Sequence, residues 1–369
     1  DGNPVTITAV ANPGYTFDHW ENSLGLDTLG TSFTLNLTSY SNFTAVFTGS
    51  AQPVELELSE INYHSDPTLD ASDWVEIHNV ADYPIDLTEY KVQDRDWFNA
   101  YPIPAGTILM PDERLVVVED DAKFAAVYPG VLNKAGSTFF SYDNSGDQVR
   151  LLDRKGVTVL QSTYDDQAPW PCTPDGFGRT MERKSGINDP EQADSWFDGC
   201  IGGSPGAAYT LCDDDIIISE INYHSADIAD AGDWFEIKNQ LNTPVDLSGW
   251  SVRDDDDAHI FTIPNGTTLA AGKFMVLCEN EAAFDIIHPA VPTLVGDLGF
   301  GLGNGSDVIR LYDAAGHLQL SVCYGDSTPW ITGADGEGYT LELSDLNGNI
   351  NDGANWFAGC LGGSPGGPY

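Results

Sequence analysis

The chain has 369 residues, with 57 acidic against 15 basic side chains and a formal charge of −42. That balance excludes a nucleic-acid backbone or an anionic membrane surface as a partner, because no cluster of Lys and Arg exists to meet phosphates. Hydrophobic residues make up 41% of the chain, enough for buried cores, yet no apolar run approaches the ~18 residues of a membrane span, so no membrane insertion is expected. An acidic surface of this kind suits a salty or calcium-rich exterior, where cations screen self-repulsion. Six cysteines in a lysine-poor, turn-rich chain point to an oxidising compartment, and none of their spacings resembles CxxC, which argues against zinc. No leader precedes Asp1, so a processed chain or a piece of a longer one is expected.

Residues 1–50 read as a small β unit. The runs "VTITAVANPGYTFDHWE" and "TSFTLNLTSYSNFTAVF" are rich in β-branched and aromatic residues with turn residues between them. Their marks, "GYxFxxW" and a closing "xAxF", are similar to the divergent internalin-type B repeat of bacterial surface proteins. In that family a further hairpin usually precedes the first mark, so the resemblance implies either that upstream sequence is missing from this chain or that another segment completes the sheet.

From residue 50 onward the chain repeats itself. Residues 50–209 align with 210–369 at a constant offset of 160 without a gap, at roughly 40% identity. "SEINYHS" stands at 59–65 and again at 219–225, Asp73-Trp74 matches Asp233-Trp234, and "GGSPG" closes both copies at 202–206 and 362–366. Domains are therefore expected at 1–50, 51–209 and 210–369, with almost no linker. Short runs such as "WVEIHN", "RLVVVE" and "QVRLLD", punctuated by Gly, Pro, Asp and Asn, predict an antiparallel sandwich of about 7 to 9 strands in each copy. One short helix is expected in each, over 120–130 and 280–290, ended by Pro129 and Pro289.

The ordered set "SEINYH", "DWVEIHN" or "DWFEIKN", "IDL" or "VDLSGW", "IPxGTxL", "GDQVRLLD" or "SDVIRLYD", "PW…DGFG" or "PW…DGEG" and "GGSPG", seen twice, resembles the bacterial lamin tail domain. The resemblance implies an all-β chain of two tandem immunoglobulin-like β-sandwiches behind a small N-terminal β unit. It also implies an accessory module of secreted or surface-attached bacterial proteins without a catalytic site of its own.

Several patterns invite chemistry. Each "SEINYHS" holds Ser, Glu and His, but a nucleophilic site also needs an oxyanion hole, and no GxSxG elbow exposes Ser59 or Ser219. No catalytic or cofactor-binding residue is therefore expected. Carboxylates are the better lead. Asp66, Asp70 and Asp73 share one loop, as do Asp227, Asp230 and Asp233; Asp94 and Asp96 share a second, matched by Asp254, Asp255, Asp256 and Asp257. Calcium takes six to eight oxygens from such groups, while the plain alternative is solvated turn aspartates that break strands. Tryptophans recurring at 74, 170, 196 and 234, 330, 356 fit cores, leaving Trp97 and Trp250 as candidates for a sugar platform, of which Trp250 aligns with Tyr90 and so also fits a structural place. Among the cysteines, Cys172–Cys200 is the expected bridge in copy one; Cys278–Cys323 with Cys212–Cys360 is one of three pairings open in copy two, with free buried thiols as the alternative to bridges.

These readings converge on a non-enzymatic, secreted module at the bacterial cell surface, structural or adhesive. Its partners would be proteins or copies of itself, met at open sandwich edges. An N-terminal unit completed by a neighbour's strand would build a filament. The alternatives are an accessory docking region of a larger secreted hydrolase or nuclease, and a calcium-dependent ligand-binding module.

Overall fold

The computed structural model describes residues 4–9, 11, 15–22, 30–36, 42–49, 55–184 and 189–369. The N-terminal unit consists of two antiparallel ribbons, Pro4–Thr8 with Ser32–Asn36 and Tyr15–Asn22 with Phe43–Gly49. Trp20 of the GYxFxxW mark is the buried anchor between them. Its ring meets Phe33 edge-on at 5.2 Å and its Nε1 donates to the Gly30 carbonyl. Each ribbon has two strands, and neither shows a third strand among the described residues.

Each repeat then builds three sheets, of six, four and two strands. In copy one the six-stranded sheet contains Leu56–Asn62, Trp74–Asn79, Arg114–Val118, Lys134–Ala135, Arg179–Arg183 and Trp196–Ile201. The four-stranded sheet that covers it contains Lys91–Gln93, Ala100–Pro102, Gln148–Leu152 and Thr158–Thr163. Twelve strands per copy exceed the expected seven to nine, because the turn-rich connections add pairings only two or three residues long.

Strict alternation explains the layering. In "WVEIHN", Val75 and Ile77 enter the main core with Leu58, Ile61, Leu151 and Met181, whereas Trp74 and Glu76 point to the other face. That other face is buried too. Helix α1 (Asp121–Val127) lays Phe124 on Trp74, Val116 and Val118, and copy two repeats this with α2 (Glu281–Ile287), Phe284 and Trp234. Asp120 and Asn280 cap the helices, each side chain accepting from first-turn amides, so both helices stand where the sequence places them.

The two sandwiches are bolted together, and here the expected disulfides need correction. Cys172 pairs with Cys323 across the copies, and Cys200 pairs with Cys212 just beyond the last strand of copy one; Cys278 is buried as a free thiol and Cys360 is exposed as one. Pairings Cys172–Cys200, Cys278–Cys323 and Cys212–Cys360 therefore do not form. They assumed that each copy bridges within itself, whereas docking brings the Cys172 loop of copy one to the edge strand Leu318–Gly325 of copy two.

Candidate functional site

Each letter of "SEINYHS" has a structural task. Ile61 and Tyr63 are fully buried, and Tyr63 stacks on Tyr164 with ring centroids 4.4 Å apart. Asn62 donates to the Ser65 hydroxyl and to the Ser72 carbonyl, which closes the following loop. His64 Nδ1 lies 2.7 Å from Asp175 Oδ1, and that hydrogen bond raises its pKa. Ser59 sits at a register shift in the strand and donates 2.7 Å to Glu76 Oε1. Ser59 and His64 thus have separate partners, and the same holds for Ser219, on Glu236, and His224, on Asp335.

The unexpected feature is a row of buried glutamates. Glu60 faces Glu76 on one neighbouring strand and Glu182 on the other, all three at most 3% exposed; Glu220, Glu236 and Glu342 repeat the row in copy two. Three adjacent carboxylates in a dry interior need compensation, and in copy one the Arg114 guanidinium supplies part of it, with Nε 3.3 Å from Glu76 Oε1, whereas copy two has Phe274 at that position. Two further things relieve both rows. First, the "GGSPG" loop lies on the row: the Ser204 amide donates to Glu60 Oε1, the Ser204 hydroxyl to Glu182 Oε1, and the Gly206 amide to Glu76 Oε2. Second, burial, aided by the neighbouring negative charge, makes the row hold protons. Glu60 is pushed well above the usual carboxylate range, Glu182 to about 7, Glu220 to about 9 and Glu236 to about 7. The first and last motifs of each repeat are therefore two halves of one clamp. Sequence reading missed it; three Glu at mutually outward positions of alternating strands, each in a motif that recurs, was the available signal.

The acidic loops divide. Asp73 accepts from the Tyr142 amide and Asp233 from the Leu302 amide, and burial raises both to about 7. Asp66 accepts from Thr68 and from the Tyr312 hydroxyl of the other sandwich, and Asp70 pairs with Lys123. Asp230 accepts from the Gly232 amide, while Asp227 is an exposed first-turn residue of a short 3-10 helix. Asp94 accepts from the Asp96 amide and Asn99, and Asp96 from the Phe98 amide.

Of the run 254–257, Asp257 turns to Arg310 at 2.9 Å, and Asp256 accepts from the Ala258 amide. Asp254 and Asp255 join Asp307, and among the described residues these three can bring one carboxylate oxygen each within 4.8 Å of one another. Copy one has Arg95 in place of Asp255, with Nε 3.1 Å from Asp147, the counterpart of Asp307. In copy two His259 Nδ1 lies 2.7 Å from Asp254, a hydrogen bond that raises the imidazole's pKa, and the Arg310 guanidinium donates to the Asp254 carbonyl. Burial lifts Asp307 to about 6. Asp254, Asp255 and Asp307 could hold a hard cation where the sister domain holds a guanidinium.

The tryptophans at 74, 196, 234 and 356 are buried, and Trp170, Trp250 and Trp330 pack partly buried against the cores. Trp97 is 67% exposed, with the Arg150 guanidinium 4.2 Å from its ring centroid.

The sequence model of the Lamin Tail Domain matches residues 49–166 and 213–326, which is most of the chain. The chain belongs to the lamin tail domain family. The Divergent InlB B-repeat domain matches residues 1–51. The immunoglobulin-like lamin tail fold and the B-repeat together point to a non-catalytic structural or adhesive module, and the surface-type repeat with the disulfides points to an extracellular setting. No curated protein matches the chain. Among solved structures, an exo-β-D-glucosaminidase, CsxA, in complex with inhibitors is 10% identical with a TM-score of 0.16, over 73% of this chain and 26% of that one. The Amycolatopsis orientalis exo-chitosanase CsxA is 10% identical, TM-score 0.15, over 74% and 26%. The chain thus spans about a quarter of these proteins, and likeness at that level carries no argument about activity. No helix of the described residues is long and apolar enough to cross a membrane.

Proposed function

We propose that this chain is a surface-exposed structural module of a bacterium, a stiff arm of two fused sandwiches whose N-terminal unit joins it to a neighbouring copy by strand exchange. The observation that supports this is the pair of two-stranded ribbons around Trp20, which among the described residues have no third strand and so offer edge donors and acceptors to an added one. Electron microscopy and light scattering of the full chain and of a chain lacking residues 1–50 test it. Fibres or oligomers from the full chain alone are the expected result. Separate particles from both would leave a monomeric spacer, or a docking region of a larger secreted hydrolase or nuclease.

A second reading rests on the trio Asp254, Asp255 and Asp307, where copy two lacks the arginine of copy one. In it the module binds calcium at this loop, which stiffens the turn beside the partner sandwich. Calorimetric titration with calcium chloride tests it, with absence of heat and an unchanged melt on chelation as the opposing result.

A further inference from the structure

Much of the junction between the sandwiches is built from residues that the duplication did not share. Arg179, fully buried, donates from Nε to the Ser321 carbonyl of copy two at 2.9 Å and from Nη1 to the Gly199 carbonyl, with Asp214 at 3.3 Å. Tyr312 donates to Asp66 at 2.7 Å, Asn349 donates to the Asp198 carbonyl at 3.0 Å, and Phe177 lies on the Arg310 guanidinium at 4.9 Å. Leu318 seats against Gly178 so closely that a methyl group there would meet it at 2.1 Å. At the equivalent positions the other copy has Tyr339 for Arg179, Leu152 for Tyr312, Ala226 for Asp66, Asp189 for Asn349, Glu337 for Phe177 and Thr158 for Leu318. Cys172 and Cys323 correspond to Thr332 and Thr163. The two copies differ at most of these contacts, while Arg310 and Gly178 keep identical counterparts in Arg150 and Gly338.

We propose that this junction has a mechanical function: the Cys172–Cys323 bridge carries tension from one sandwich directly into the other and shields the chain between them from extension. The bridge has a sequence separation of 151. Load applied between the ends of the molecule runs along the backbone to Cys172, crosses to Cys323 and leaves along residues 324–369. The last strands of copy one, the connection at 207–215 and most strands of copy two, from Ile216–Asn222 to Ser306–Tyr312, lie inside the covalent loop and bear none of it. At ~3.3–3.6 Å per extended residue the shielded length is about 500 Å. The second bridge, Cys200–Cys212, lies inside the same loop. This deepens the reading of a stiff arm and rests on it for its use, but the shielding is a property of single molecules and does not depend on whether copies join.

Force spectroscopy on the full chain, held by handles at its two ends, decides the matter. The oxidised protein should release a total contour about 500 Å shorter than the Cys172→Ser/Cys323→Ser protein, while Cys200→Ser/Cys212→Ser should release the same contour as the unaltered chain. Should the first variant fail to fold, the unaltered protein pulled with and without dithiothreitol gives the same comparison, since the inner bridge hides only a 12-residue separation. Equal contour lengths with the bridge closed and open would overturn the proposal. Polymers that fail to form in the strand-exchange test would leave it standing.

Discussion

Gly203 lies directly beneath Glu60. A methyl group on it would come 2.1 Å from Glu60 Oε1 and 2.7 Å from Thr180, at a φ of +73 that side chains other than glycine resist. Gly203→Ala should therefore destabilise the fold by about 2–4 kcal/mol, whereas Gly106→Ala, at a φ of +85 with open space around it, should lose only about 1–2 kcal/mol. Denaturant unfolding of the two variants checks the contrast. The glutamates below predict a pH response. A carboxyl whose pKa is raised on folding keeps a proton the unfolded chain has released, so its stabilisation is complete below its ordinary value and is lost as pH rises through the folded one. Asp73, Asp233, Glu182 and Glu236 at about 7 and Glu220 at about 9 place that loss between about pH 4 and 9. The melting temperature should fall across this window. Glu220→Gln, which keeps an acceptor for the Ser364 amide and carries no charge, should flatten the fall; an unchanged pH profile would count against a protonated row.

At the scale of an element, the duplicated loops after the strands Lys91–Gln93 and Ser251–Arg253 show how one turn serves two chemistries. Both loops tie their first aspartate to the amide two residues on, Asp94 to Asp96 and Asp254 to Asp256, which is a local Asx turn. They part at the next residue, where Arg95 neutralises Asp147 and Asp255 adds a charge beside Asp307. If calcium occupies the trio, chelation should lower the melting temperature of the unaltered protein. Asp255→Arg, which restores the copy-one arrangement, should abolish calcium heat in titration and gain about 0.5–1 kcal/mol in chelator. The six-stranded sheet carries a related lesson. It is covered on one face by the four-stranded sheet and on the other by a two-turn helix and the "GGSPG" loop, so its strands bury both sides of their alternation. Trp74 and Trp234 face the helix side, and truncating either to alanine should remove about 3–5 kcal/mol, read from denaturant midpoints.

At the scale of the whole molecule, the closed bridge between copies should stabilise the pair by ~5 kcal/mol in the chain-entropy model, against ~3 kcal/mol for the short Cys200–Cys212 loop. A calorimetric scan should consequently show one transition for the two sandwiches when oxidised and two when Cys172 and Cys323 are replaced. The formal charge of −42 overstates the native charge, because buried carboxyls hold protons near neutrality. The duplication, the all-β character and the two short helices were legible in the sequence by itself, since each depends on period, spacing and local turn chemistry repeated within one segment. Only the tertiary structure decided which cysteines meet, which of twelve acidic residues converge, and that "SEINYHS" and "GGSPG" are parts of one clamp. Those facts depend on strands far apart in the chain becoming neighbours and on one domain docking against another, and the local pattern of side chains carries no record of either.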